Sequence, residues 1–226
     1  MSNILLIDAA TEALSVAVSC DLENAHFEVC PQQHSQKMLP LVDSILNSAN
    51  TNLKALDAIA FGRGPGSFTG VRVGVSVTQG LAYAANLPVI GISNLQMMAQ
   101  QAFDTTEADY AIATIDARMG EIYYAEFKRD ENNLAAFVSD EMVIKPEELT
   151  LPEYDAVVVG TGCQTYKVHF EATNLTILDE ITLPNARFMT KLAERELVAG
   201  NTVVAADAQP VYVRDTVTWK KLPGRE

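Results

Sequence analysis

Apolar and polar positions along the chain switch between a period of two and a period near 3.6. Ile4-Leu5-Leu6-Ile7 is a short apolar run ending in Asp8, and Leu14 to Ser19 alternates. Joined by a turn from Ala9 to Ala13, they predict a β-hairpin with Asp8 at the end of its first strand. Residues 25–29 read as a third strand. Ser35 is placed to cap a helix running to about Asn50, with Met38, Leu41, Val42, Ile45 and Ala49 along one side and Pro40 bending its start. Ala58 to Phe61 reads as a buried strand. A helix from Val71 to about Asn86 follows, stopped by Pro88. Residues 89–92 give another strand, and a further helix begins at Leu95.

The pattern then restarts. Ile4-Leu-Leu-Ile-Asp8-Ala9 and Ile112-Ala-Thr-Ile-Asp116-Ala117 share Ile-x-x-Ile-Asp-Ala, and each leads through a turn into a second strand. Asp57-Ala-Ile-Ala-Phe-Gly-Arg-Gly64 is matched by Asp155-Ala-Val-Val-Val-Gly-Thr-Gly162. Two matched pairs in the same order indicate an internal duplication. The polar patch from Asp104 to Asp109 separates a first lobe, 1–105, from a second, 106–226. The second ends with a predicted helix over 186–199, a strand or extended segment over 205–213 and a tail bearing Arg214, Lys220, Lys221 and Arg225, from which the chain is placed to return to the first lobe.

The chain's centre of interest is Gly62-Arg-Gly-Pro-Gly-Ser-Phe-Thr-Gly-Val-Arg-Val-Gly74, a glycine-rich turn between strand and helix. Such a turn cradles phosphate or lets two backbones pack closely. A P-loop needs Lys-Ser/Thr after its last glycine, and here Val71-Arg72 follows Gly70. The Gly-x-Ser-x-Gly of a hydrolase elbow is also absent. Close packing is the favoured use.

Composition narrows the classes. Nearly half of the 226 residues are hydrophobic, enough for a real core. The formal net charge of −13 opposes tight nucleic-acid binding by this chain alone. Cys20, Cys30 and Cys163 lie far apart with no Cys-x-x-Cys pair, which fits a reducing cytosol rather than a disulfide framework or zinc site. No basic region precedes the first strand, so no signal peptide is expected. Val73 to Phe103 holds no charged residue, yet Gln79, Asn86, Pro88 and Asn94 interrupt it well short of a membrane span.

The motifs together resemble the TsaB family, also called YeaZ. They are Ile4 to Thr11, His34-Ser-Gln-Lys-Met-Leu-Pro40, Gly64-Pro-Gly-Ser-Phe-Thr-Gly-Val-Arg-Val-Gly74, Asp116-Ala-Arg118 with Glu121-Ile-Tyr123, and Pro210-Val-Tyr-Val-Arg214. The resemblance implies an α/β fold of duplicated actin-like (ribonuclease-H-like) lobes, each a mixed β-sheet with helices packed on it. It further implies a cytoplasmic role in making threonylcarbamoyladenosine on tRNAs that read codons beginning with A. In that system TsaD is the catalytic subunit and TsaE a small ATPase. TsaD carries two metal-binding histidines where this chain has Asn94 and Met98, and those side chains cannot replace two imidazoles. His26, His34 and His169 share no metal-ligand spacing. The expectation is a non-catalytic subunit that needs no metal or cofactor.

Asp8, Thr11 and Asp116 mark where a nucleotide cleft would lie and would hold ATP or ADP only loosely. The competing use of each Asp is to cap its own turn. His34 is expected to cap or pack at a helix start.

The helix from Gly70 is apolar nearly all round and must be covered on more than one side. Met38, Leu41, Val42 and Ile45, with Gly70, Val71, Gly74, Val75, Thr78 and Ala82, are therefore expected to form a helical interface. Its occupant would be TsaD, or a second copy of the chain when TsaD is absent, with tRNA reached only through the complex. Two alternatives compete: a free-standing actin-like small-molecule kinase or ATPase, and a metallopeptidase, which the missing histidines oppose.

Overall fold

The computed structural model describes residues 2–214. Two mixed sheets form its framework. The first contains β1 (Ile4–Asp8), β2 (Ala13–Val18), β3 (Asp21–Val29), β4 (Ala58–Gly62) and β5 (Val89–Ile92), in the order β3-β2-β1-β4-β5. The second contains β6 (Tyr110–Arg118), β7 (Glu121–Arg129), β8 (Ala135–Phe137), β10 (Ala156–Val159) and β11 (Leu175–Ile177), in the order β11-β10-β6-β7-β8. In addition, β9 (Met142–Ile144) pairs with β7.

The duplication is visible in the topology. β1 runs antiparallel to β2 and parallel to β4, and β6 does the same with β7 and β10. Ile4 lies opposite Ala58, whereas its counterpart Ile112 lies opposite Val158 rather than Ala156. The second register is thus slid by two residues, and a slide of two keeps every side chain on its own face. The copies diverge after the glycine turn. β4 leads into α2 (Phe68–Ala85), while β10 leads into the short α4 (Thr161–Thr165).

β1 and β2 are buried at every position. Leu5, Ile7, Leu14, Val16 and Val18 face α1 (His34–Ser48) and α2. Ile4, Leu6 and Ala17 face the other way, against the turn Ala186–Met189 and α5 (Thr190–Ala199). Ser15, a polar position in the alternation, is fully buried, and its hydroxyl accepts a 2.9 Å hydrogen bond from the Ala186 N–H. The late helix therefore completes the core of the first sheet. α3 (Asn94–Thr105) joins the two halves: Met97 packs into the first core, and Leu95, Met98, Ala102 and Phe103 pack into the second.

Several boundaries differ from the sequence reading. β3 starts at Asp21, because pairing with β2 holds polar residues in the ladder. α1 starts at His34 with Gln33 at its N-cap and no side-chain cap, so Ser35 caps nothing. His34 is buried, and its Nε2–H donates to the Ala13 carbonyl at 3.1 Å. α2 starts at Phe68 because Ser67 caps it, its hydroxyl accepting from the Gly70 N–H at 3.4 Å. Only 190–199 of the expected 186–199 helix is α-helical, after a 3-10 turn. The strand or extended segment expected over 205–213 opens with a 3-10 turn, Ala205–Asp207, and is not a strand of either sheet.

Candidate functional site

The glycine turn packs rather than cradles. A Cβ on Gly66 would sit 2.2 Å from the Ala10 carbonyl oxygen, and one on Gly70 would sit 2.2 Å from that of Ala9. The start of α2 thus presses against the β1–β2 turn, backbone to backbone. The Gly66-Gly70-Gly74 line faces the chain's own hairpin and not a second helix. Gly74 would accept a Cβ in ordinary contact.

Asp8 lies inside this contact and is 1% exposed. Its Oδ1 accepts from the Asn94 amide at 2.5 Å and from the Ala10 N–H at 3.4 Å. Its Oδ2 is buried with no partner among the described residues. Burial pushes the carboxyl up to about 7, against the opposing effect of the Asn94 hydrogen bond. Asn94 is fully buried, and its Oδ1 accepts from the Gly64 N–H at 2.9 Å. One amide therefore ties the end of β1 to the glycine loop. Thr11, 5% exposed, accepts from the Ala13 N–H at 3.4 Å. Both side chains serve their own turn.

Asp116 stands near the end of β6, in the place equivalent to Asp8. Its Oδ1 accepts from the Arg118 N–H at 2.9 Å, and its Oδ2 pairs with the Arg118 guanidinium at 3.0 Å. The same guanidinium reaches Glu12 in the first hairpin at 2.9 Å. The two hairpin turns are thus tied to one another, with two carboxylates and one guanidinium meeting between them. Arg63 of the glycine loop pairs with Glu141 at 2.8 Å, and Glu141 also accepts from Ser93, the N-cap of α3. Asp8 is thus buried in its own turn, whereas Asp116 is held by Arg118 beside the first hairpin. Among the described residues no group of three or more His, Cys, Asp and Glu is placed to hold a metal, and no helix is long and apolar enough to cross a membrane.

The interface set requires correction. Met38, Val42, Ile45, Gly70, Val71, Gly74, Val75, Thr78 and Ala82 are all buried within the chain itself, and Leu41 is half-buried against the same core. Their side chains cover the first sheet, so they do not form a free surface. The outer face of α2 is a different stripe: Thr69, Arg72, Ser76, Gly80 and Tyr83 are exposed, with Val73 and Val77 half-buried beside them. Phe68 is 58% exposed, Tyr83 is 83% exposed, and Leu39 on α1 is 52% exposed. A groove of about 420 Å³ runs from Ser35 along Phe68, Arg72, Val73, Ser76 and Val77. Sequence reading missed this stripe, although Arg72, standing at the edge of the uncharged run, marks it.

Of the tail cations, Arg214 pairs with Glu121 of β7. Lys220, Lys221 and Arg225 lie outside the described residues.

A family model described as TsaD, tRNA N6-adenosine threonylcarbamoyltransferase, matches residues 26–221. The tRNA threonylcarbamoyladenosine biosynthesis protein TsaB of Escherichia coli (strain K12) is 47% identical over 230 residues, covering 99% of this chain and 100% of that protein. Its namesake in Haemophilus influenzae is 45% identical, covering 99% and 98%. Two solved structures from Pseudomonas aeruginosa, one described as YeaZ and the other as similar to peptidase YeaZ, superpose with TM-scores of 0.86 at 38% and 39% identity. They cover 94% and 95% of this chain and all of their own. With fold, motifs and end-to-end identity in agreement, the chain belongs to the TsaD-type family, among the tRNA threonylcarbamoyladenosine biosynthesis proteins TsaB.

Proposed function

We propose that the chain is the non-catalytic scaffold and activator subunit for threonylcarbamoyl transfer to the anticodon-loop adenosine of tRNAs reading codons beginning with A. In this reading it pairs with TsaD through the outer face of α1 and α2 and helps recruit TsaE. Alone, it pairs with a second copy through the same face. The observation that carries the reading is the use made of positions 94 and 98, where the catalytic relative has metal-binding histidines. Asn94 spends its amide on Asp8 and Gly64. Met98 is fully buried in the second core. The chain then supplies no acid, base or nucleophile. It contributes differential binding to one state of the catalytic subunit, a shift of population.

No cofactor is required in this reading. The Glu12–Arg118–Asp116 tie places carboxylate charge against any incoming phosphate, so ATP or ADP would bind loosely. The net charge of −13 leaves tRNA to be held by the complex rather than by this chain. A cytoplasmic setting follows from the same role.

The test is reconstitution with unmodified tRNA, ATP, threonine, bicarbonate and the other pathway proteins, following labelled threonine into tRNA. Incorporation should require this chain, survive Asp8→Asn combined with Asp116→Asn, and fall with Tyr83→Asp on the outer face. Undiminished incorporation without the chain overturns the reading and favours the small-molecule kinase. That alternative predicts ATP·Mg binding well below millimolar by titration calorimetry.

A further inference from the structure

Arg72 is the only charged residue in α2, and it stands on the exposed stripe. It does not wave freely. Its guanidinium carbon lies 3.5 Å from the centre of the Phe68 ring and 5.7 Å from that of Tyr212. Its Nε–H donates to the Tyr212 hydroxyl at 2.8 Å. The two rings are 5.7 Å apart, so the guanidinium stacks on Phe68 with Tyr212 beside both.

Tyr212 arrives from the far end of the chain on a segment that is itself fastened. The Ala208 carbonyl accepts from Gln79 of α2 at 2.9 Å. The Val211 N–H donates to the Arg63 carbonyl at 2.8 Å. Arg214 then pairs with Glu121 in the second lobe. The segment crosses from α2 over the glycine loop to β7, and on the way it fixes one cation at the edge of the groove.

A cation fixed on an otherwise uncharged helix of an acidic protein is an arrangement with a chemical preference. Guanidinium matches carboxylate as a planar fork. Held in advance, it loses little side-chain freedom on association. Arg with flanking aromatics is also the composition of interface hot spots. A net charge of −13 disfavours nucleic-acid phosphate as the counterpart.

We propose that Phe68, Arg72 and Tyr212 form the polar anchor of the docking surface and receive an Asp or Glu carboxylate of the catalytic partner. This rests on the reading that TsaD docks on the outer face of α1 and α2. Arg72 makes the contact, and Tyr212 is a positioning residue that orients it.

The test is calorimetric titration of the full chain with TsaD from the same genome, at low and high salt, with circular dichroism confirming each variant's fold. Arg72→Ala should weaken binding by about 10- to 100-fold. It should also flatten the salt dependence. Arg72→Lys should restore only part of the affinity. Tyr212→Phe, which keeps the ring and removes the hydroxyl, should weaken binding several-fold and leave Arg72→Ala no weaker when combined with it. Tyr83→Asp separates the two readings. If Tyr83→Asp abolishes binding while Arg72→Ala stays within twofold of the parent, the docking face stands and the anchor is wrong. If neither variant changes binding, the docking reading itself fails. If Arg72→Ala spares the heterodimer but weakens tRNA binding by the assembled complex, Arg72 faces RNA and the carboxylate assignment is overturned.

Discussion

Asp8→Asn should make the protein more resistant to unfolding at pH 8 and should change its response to pH. The buried carboxyl titrates near 7 in the folded protein against an ordinary value of 3.8. Below pH 3.8 it is protonated in both states and carries no penalty. Between 3.8 and 7 the unfolded chain releases the proton while the folded one keeps it, so stability falls as pH rises. Above 7 both states are ionised and the loss is complete. At 1.36 kcal/mol per pH unit, the full loss is about 4 kcal/mol, and at pH 5 less than half of it has developed.

Asparagine at position 8 keeps an oxygen to accept from Asn94 and cannot ionise. Its NH2 would stand where Oδ2 has no partner among the described residues, costing about 1–3 kcal/mol. The net gain at pH 8 is then about 1–3 kcal/mol, and near pH 5 the variant should be neutral or slightly weaker. The amide cost is the same at both pH values and cancels in the comparison. The variant's advantage should therefore grow by about 3 kcal/mol between pH 5 and pH 8. For a chain of this length that corresponds to a relative rise of roughly 6–12 °C in midpoint. Thermal or urea unfolding of both proteins at the two pH values measures it. A variant equally displaced from the parent at pH 5 and pH 8 would refute the assignment of a buried, nearly neutral carboxyl.

Other perturbations test the packing. Gly70→Ala puts a Cβ 2.2 Å from a backbone carbonyl on a neighbouring turn and should cost about 2–3 kcal/mol, read by urea unfolding. A loss below ~0.5 kcal/mol would contradict the close packing of α2 on the β1–β2 turn. Ser15→Ala leaves the buried Ala186 N–H without its acceptor and should cost about 1–3 kcal/mol. Hydrogen exchange should show the loosening at 186–199 before the rest of the chain. Val75→Glu buries an unpaired charge in the first core, where Val75 is 5% exposed, at a cost of about 3–5 kcal/mol. Circular dichroism should show loss of structure, whereas a folded monomer would return Val75 to the list of surface residues.

Hydrophobic period made the two halves legible because each sheet is built from short, continuous apolar runs. The repeated Ile-x-x-Ile-Asp-Ala and Gly-x-Gly marks fall on strands with the same partners in both lobes. What period alone does not carry is sidedness. α2 reads as apolar nearly all round because one stripe covers its own sheet, flanking positions such as Val73, Val77 and Leu81 are half-buried, and the outer stripe carries a single charge, Arg72. Nothing in spacing distinguishes the stripe of Val71, Val75, Thr78 and Ala82 from the stripe of Thr69, Arg72, Ser76, Gly80 and Tyr83. Which is core depends on where β1 and β4 lie, and that is long-range information. The same limit explains Ser15, whose alternation suggests a wet face until the turn at Ala186, 171 residues later, covers it. Tyr212 is hidden more deeply still, since its contact with Arg72 spans 140 residues. Charge is the signal that survives. Val73 to Phe103 lacks charge in part because β5 and α3 are buried within the chain, and where the run reaches the surface, on α2, a single Arg stands at its edge. On the proposed docking face the partner would meet that boundary with a largely apolar surface bearing one carboxylate opposite Arg72.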